Sequence, residues 1–317
     1  MKLFLKNYLF LLMAGLVSLP ACSDYIEDLT PQKEEFLNGI SATVSNFEMG
    51  ELDLTRTSYE VSPTEGFVFQ WAPCDTLGIY PVGGNQVDFP ISDGIGTNTA
   101  VFDGGSWALR SSYTYAGYYP YSANNYHKPQ NAIPVSYKGQ KQNGNNNLSG
   151  LGAYDFMAAA PVGTSENGSV DLQLKHLGSF VRFQLTMPVA GNFTKLKLVS
   201  SDVEFIETAT YDLTSSVPTL KPGTRSKTFT LSLENVQTTE ANQVITLYAM
   251  MAPVSQRSSD ITVTITDDNG NTFSKVTTGK NLVAGKSYNY SLEFERETCP
   301  YLTFEANDII TLQMSRY

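Results

Sequence analysis

Period-two alternation of apolar and polar positions dominates the second half of the chain. Val170, Leu172 and Leu174 alternate with polar residues, and so do Val181, Phe183 and Leu185. Leu196 and Leu198 follow, then Phe229, Leu231 and Leu233. Ile261, Val263 and Ile265 interleave with Thr262, Thr264 and Thr266, and Tyr288, Tyr290, Leu292 and Phe294 close the series. This is the mark of strands buried on one face. Val244 to Met251 is a nearly continuous apolar run, the pattern of a central strand covered on both faces. Turn chemistry joins the strands. Asp267-Asp268-Asn269-Gly270-Asn271 is a hairpin signal, because Asn-Gly supplies positive φ at little cost. Val283-Ala284-Gly285-Lys286 turns into the last strand. Seven strands without helical periodicity predict an antiparallel β-sandwich.

The first half is looser. Phe67, Phe69 and Trp71 alternate, and Leu77 to Val82, Thr99 to Phe102, Tyr113 to Tyr121 and Ile133 to Tyr137 read as strands. Gln140 to Gly152, with Asn143-Gly144-Asn145-Asn146-Asn147, reads as a long polar loop. Pro161 to Gly168 has the composition of a linker. The pattern therefore divides the chain into an N-terminal β-domain over 40–165, a C-terminal one over 166–296 and an extension over 297–317.

The N-terminus differs from all of this. Lys2 and Lys6 lead into an apolar run from Tyr8 to Leu19, too short for an ordinary membrane span and typical of a secretion signal. It ends in Leu19-Pro20-Ala21-Cys22, which resembles the lipobox of bacterial lipoproteins. That resemblance implies a signal peptide over 1–21, cleavage between Ala21 and Cys22, and acylation of Cys22 with palmitate-type chains that hold the protein to the outer membrane. Residues 22–39 begin Ser23-Asp24-Tyr25-Ile26-Glu27-Asp28 after the cysteine. This acidic stretch reads as a solvated tether, and it also resembles the surface-export signals of Bacteroidota lipoproteins.

Charge and cysteine count narrow the function. The chain has 317 residues and a net charge of −10. No basic run of the kind that grips phosphates occurs, which argues against nucleic acid as a partner. Charged residues make up only 16%, with 18 Tyr and 17 Phe, a composition suited to pleated surfaces. With Cys22 acylated, Cys74 and Cys299 remain, either as a pair permitted by an oxidising compartment or as two free, partly buried thiols.

The sequence offers little for catalysis. His127 and His176 stand in no metal-binding spacing, and His176 reads as a hydrogen-bonded structural residue. No nucleophile elbow, phosphate-binding loop or dinucleotide fingerprint occurs. Asp267-Asp268-Asn269-Gly270 lacks the later ligands of a Ca²⁺ loop. The reading is a non-enzyme with no cofactor and no metal. Tyr113, Tyr115, Tyr118, Tyr119, Tyr121 and Tyr126 form a cluster that serves either packing or sugar stacking.

An ordered set of short motifs then carries a family resemblance. Thr55-Arg56-Thr57 precedes Phe69-Gln70-Trp71 and Cys74-Asp75-Thr76-Leu77-Gly78-Ile79-Tyr80. Ala100-Val101-Phe102-Asp103-Gly104 and Tyr115-Ala116-Gly117-Tyr118-Tyr119-Pro120-Tyr121-Ser122 come next. Gln140, Tyr154-Asp155-Phe156-Met157-Ala158-Ala159, Leu174-Lys175-His176-Leu177 and Leu282-Val283-Ala284-Gly285-Lys286-Ser287-Tyr288-Asn289-Tyr290 complete it. Over roughly residues 40–296 the set resembles the fimbrillin-like proteins of Bacteroidota, the type V pilus subunits. The resemblance implies an all-β chain of two tandem transthyretin-like antiparallel β-sandwich domains. It implies an outer-membrane lipoprotein whose N-terminal segment an Arg-specific protease removes. Arg56, with Thr57 after it, matches that processing position, and Ile40, Ala42 and Val44 match the departing strand. The partners implied are other pilin subunits, which donate a replacement strand and build a fimbrium for adhesion. The alternative is a monomeric surface lipoprotein that binds a glycan or a host protein. The tail departs from the pattern, with Tyr301 to Phe304 and Ile309 to Leu312. It is a donor strand, the start of a further module, or a disordered extension.

Overall fold

The computed structural model describes residues 36–37, 39–49, 67–107, 109–164, 169–255 and 259–295. Ala21, Cys22, Arg56, Thr57, Cys299 and the extension over 297–317 lie outside the described residues. Strand is the dominant regular structure of the described residues, and their helical pieces are two 3₁₀ turns, Ala123–Asn125 and Leu151–Tyr154.

The C-terminal half is a sandwich of two sheets. One sheet runs in the order Lys141–Asn143, Thr228–Thr238, Gly191–Ser200, Asp260–Asp267 and Thr272–Thr278. The other runs Val244–Met251, Ser179–Thr186, Lys286–Glu293 and Glu48–Met49. The alternating residues meet between them: Phe183, Leu185, Leu196, Leu231, Val263 and Ile265 share one buried core. Asp260–Asp267 returns as Thr272–Thr278 through the expected hairpin, with Thr266 opposite Thr272. The sandwich is not antiparallel throughout. Ser179–Thr186 pairs antiparallel with Val244–Met251 but parallel with Lys286–Glu293. Parallel partners need a crossover connection, and here the chain passes through the opposite sheet between them.

The N-terminal half is built differently. Its sheet orders Met157–Ala158, Val170–His176, Ile40–Val44, Thr99–Phe102, Val87–Asp93, Thr76–Pro81, Thr114–Tyr119 and Val162–Gly163. Met157–Ala158 pairs with both Val170–His176 and Thr114–Tyr119, so the sheet curls round and closes on itself. Closure removes edges and encloses a core of Ile40, Val44, Trp71, Ile79, Phe102 and Leu172. Two glycines permit the close approach. A Cβ at Gly78 would overlap the Tyr118 ring, and one at Gly117 would overlap Leu172. Phe67, Phe69 and Trp71 keep their alternating burial but form no ladder beyond one bridge between Phe67 and Phe47. Their alternation records packing, not strand pairing. Val87–Asp93, interrupted by Pro90, escapes the sequence pattern and is a full strand.

The sheets interleave across the linker at 161–168. Val170–His176 follows it yet belongs to the N-terminal sheet, while Lys141–Asn143 precedes it yet pairs with Thr228–Thr238 of the C-terminal sandwich. Val244–Met251 is correspondingly not a central strand, because its ladder ends the sheet. It is apolar over most of its length because both faces are covered from Leu247 onward. Ile245, Leu247 and Ala249 enter the sandwich core, while Tyr248 and Met250 enter a third core between the halves with Tyr80, Tyr118 and Tyr211.

The outer edge of Val244–Met251 is closed by side chains of the stretch read as a polar loop. The Gln140 amide accepts from Met250 N (2.9 Å), and Gln142 accepts from Tyr248 N (2.7 Å) and donates to Thr246 O (2.9 Å). Asn145 accepts from Thr246 N (2.7 Å). The segment is thus a strap, joined by a backbone ladder to one sheet and chiefly by amide side chains, with one backbone bond from Asn146 N to Thr246 O, to the other.

Candidate functional site: the threaded N-terminal strand

The segment before residue 50 is where sequence and structure meet most closely. Ile40–Val44 lies inside the N-terminal sheet. It pairs in parallel with Val170–Leu174, Ile40 opposite Val170 and Val44 opposite Leu174. On its other side it pairs antiparallel with Thr99–Phe102. Ile40, Ala42 and Val44 are each 0% exposed, and Ser41 and Thr43 face outward half-covered. The three apolar residues fill successive pockets, as alternate side chains of an inserted strand must.

Fastenings continue along the segment. Val44 N donates to Asn98 O (2.9 Å), and Asn98 Nδ2 donates back to Val44 O (3.3 Å). His176 Nε2 lies 2.8 Å from Ser45 O, while its Nδ1 lies 2.7 Å from a carboxylate oxygen of Asp155. Both His176 and Asp155 are buried. The imidazole stacks on Phe47 at 3.7 Å between centroids. Asn46 accepts from Phe69 N (3.0 Å), and Phe47 N donates to Phe67 O (3.0 Å). Glu48–Met49 then adds to the C-terminal sandwich beside Lys286 and Ser287, where Glu48 and Lys286 form an ion pair. At the other end Phe36–Leu37 pairs with Leu109–Arg110. One short segment therefore touches both halves of the molecule.

Ile40, Ala42 and Val44, expected as the departing strand, lie in the interior of the N-terminal sheet with partners on both sides. Arg56 and Thr57 fall in the stretch 50–66, whose flanks Phe47 and Phe67 are hydrogen-bonded together. His176 is the hydrogen-bonded structural histidine expected. Its partners escaped the sequence because Ser45 and Asp155 lie far from it along the chain. Cys74 is free and exposed rather than partly buried.

The tyrosine cluster divides. Tyr115, Tyr118 and Tyr119 are buried, while Tyr113 and Tyr126 are exposed. The Tyr119 hydroxyl donates to Asp75 (2.8 Å). Burial first, and the Asp75 charge second, push its phenol well above the ordinary value. It is a fixed donor, not an acid–base group. Among the described residues no cluster of His, Cys, Asp and Glu is arranged to hold a metal ion.

Comparison with known proteins places this architecture. A sequence profile described as fimbrillin-like matches residues 64–312. The chain belongs to the fimbrillin-like family. No curated protein matches it. Among solved structures, a presumptive cell adhesion protein from Bacteroides uniformis shares 17% identity, with 82% of this chain and 93% of that one aligned at a TM-score of 0.53. One from Bacteroides ovatus shares 16% identity, over 82% and 92% of the two chains, at a TM-score of 0.55. Identities this low establish a shared fold.

Proposed function

We propose that the chain is a fimbrial subunit or accessory pilin with a role in adhesion, exported as a lipoprotein and assembled by strand exchange. In this reading the signal over 1–21 is removed, Cys22 is acylated, and the protein reaches the surface of the outer membrane. A protease then cuts after Arg56, and a strand from another subunit replaces Ile40–Val44. The adhesive role follows the fimbrillin-like family and the presumptive adhesion proteins that share the fold. No catalytic step is assigned.

The observation that carries the reading is the position of Ile40–Val44. A strand with partners on both sides, removed, leaves two unpaired ladders and a row of empty apolar pockets. Such a gap is a template for another extended chain. Because donor and acceptor surfaces differ, the contact repeats head to tail and does not close, which is the geometry of a filament. The cut site lies C-terminal to the strand in sequence, so one cleavage severs the strand and everything before it from the rest of the chain and leaves it open to displacement.

Incubating the purified mature protein with trypsin tests this. The expected result is cleavage after Arg56 followed by a ladder of SDS-resistant oligomers. Persistent monomers after clean removal of residues 23–56 would rule out assembly by this route. The N-terminal sequence of the cell-surface form should then begin at Thr57 for an assembled subunit.

A further inference from the structure

An open cleft of about 450 Å³ lies at one end of the N-terminal sheet. Three segments build it: the turn over 82–86 between Thr76–Pro81 and Val87–Asp93, the stretch around Leu109–Arg110, and Tyr126 after the 3₁₀ turn Ala123–Asn125. Its floor is apolar and buried, from Val87, Phe89, Leu109 and Tyr115. Its walls are aromatic and exposed: Trp107 at 59%, Tyr126 at 44% and Tyr113 at 40%.

The walls are stiffly held. The Tyr115 hydroxyl accepts from Arg110 N (2.6 Å) and donates to Arg110 O (3.1 Å), which pins the strand beside Trp107. Gln86 is locked by the Tyr118 hydroxyl and by Ser122 O. The Arg110 guanidinium sits over the Tyr113 ring at 5.7 Å. In contrast, the Trp107 indole N–H, the Tyr113 and Tyr126 hydroxyls and the Asn85 amide have no hydrogen-bond partner among the described residues. Three aromatic rings left in water around one cleft are costly for an isolated chain and mark a binding surface.

We propose that this cleft binds a neutral saccharide chain. A pyranose ring presents apolar C–H faces and a hydroxyl-bearing edge. It therefore needs flat aromatic plates beside neutral donors and acceptors. The lining supplies that combination. A purely apolar ligand would leave the indole N–H, the phenols and the amide unpaired on burial. A cation would find no carboxylate in the lining. A polyanion would meet a single cationic side chain in the lining, Arg110, which already lies over the Tyr113 ring, on a protein of net charge −10 that opposes its approach; sialylated and sulfated probes test this directly. The cleft borders the threaded segment: Leu109–Arg110 pairs with Phe36–Leu37, and Val87, Phe89, Leu109 and Tyr115 share a core with Ile40 and Val44, so binding is measured on protein not cut at Arg56.

The experiment uses the full mature protein. It is screened on an array of neutral hexose and N-acetylhexosamine oligomers beside sialylated and sulfated counterparts, and hits are measured by titration calorimetry. The chain has two tryptophans. Trp71 is 1% exposed and Trp107 is 59% exposed, so a change in intrinsic fluorescence on binding reports on Trp107. Neutral oligosaccharides should bind, and Trp107→Ala, Tyr113→Ala and Tyr126→Ala should each weaken binding about tenfold with the melting temperature unchanged. Val276→Ala, at a site 59% exposed on the other half, should leave binding intact. The proposal is overturned if no neutral oligomer binds at millimolar concentration, if only sialylated or sulfated probes bind, or if binding survives the three substitutions.

Discussion

Asp267 shows how a single side chain fixes a turn. Its carboxylate accepts from Asn269 N (3.0 Å), Asn271 N (2.7 Å) and Asn271 Nδ2 (2.8 Å), which closes the tip of the hairpin around Gly270. The Asn271 side chain, followed by the backbone N–H groups of the turn, holds this carboxyl below its ordinary value. A lowered folded value means the charged form binds the turn better than the neutral one. The stabilisation is therefore complete above the unfolded carboxylate range of roughly 4 and drains away as pH falls through the lower folded value. Asp267→Asn keeps an acceptor oxygen but removes the charge. It should melt lower than the parent at neutral pH, and the two should converge in acid; a constant difference from neutral to acid would show that charge is not the cause. This turn was legible because its chemistry is local. The fastening of His176 was not, because nothing near it in sequence points to Ser45 or Asp155. Trp107 was equally silent, although an indole among Gly104, Gly105 and Ser106 is a hint of exposure that can be read.

Among the elements, the strap over 140–146 carries the clearest consequence. A sheet edge with free N–H and C=O groups invites pairing with another chain, and this fold blocks one such edge with amide side chains. Gln142→Ala strands the buried N–H of Tyr248, while Thr246 O keeps its bond from Asn146 N. One orphaned buried donor costs about 1–3 kcal/mol. The variant should therefore melt at lower temperature and, with its edge bared, scatter more light on concentration. Unchanged melting and scattering would mean that the amides decorate the edge without closing it. Most strands of the C-terminal sandwich were readable because each buries one face, and period two follows from that. The strap was not readable as structure, because its order comes from contacts made across the molecule. Yet Gln140 and Gln142 stand two apart with Lys141 between them, the spacing of side chains that share one face of an extended chain. The edge position of Val244–Met251 was hidden for the opposite reason. Packing between the two halves gives an edge strand the apolar sequence of a central one.

At the scale of the whole molecule, the threaded segment is more than a plug in one sheet. It joins Leu109–Arg110, the middle of the N-terminal sheet, the His176 fastening and the edge strand at Lys286. Burial of Ile40 and Val44 contributes roughly 1.5–3 kcal/mol each, before any ladder hydrogen bond is counted. Those two side chains alone approach the lower end of a domain's net stability, about 5–15 kcal/mol. Withdrawal into water with nothing to replace the strand is therefore strongly uphill. A cut after Arg56 changes covalent continuity but removes none of these contacts. We expect protein nicked at Arg56, at low concentration, to keep its N-terminal fragment through gel filtration and to lose it only in denaturant. A synthetic peptide of residues 38–46 at high concentration should exchange with the bound fragment slowly, since the ladders on both sides must open. His176→Ala, which deletes the contact to Ser45 O and the stack on Phe47, should speed that exchange severalfold. Immediate separation of the fragment on cleavage would instead mean that the strand is held by chain continuity. Retention would make the incoming strand of a neighbour the agent of release, and so couple exposure of the slot to the presence of the subunit that fills it.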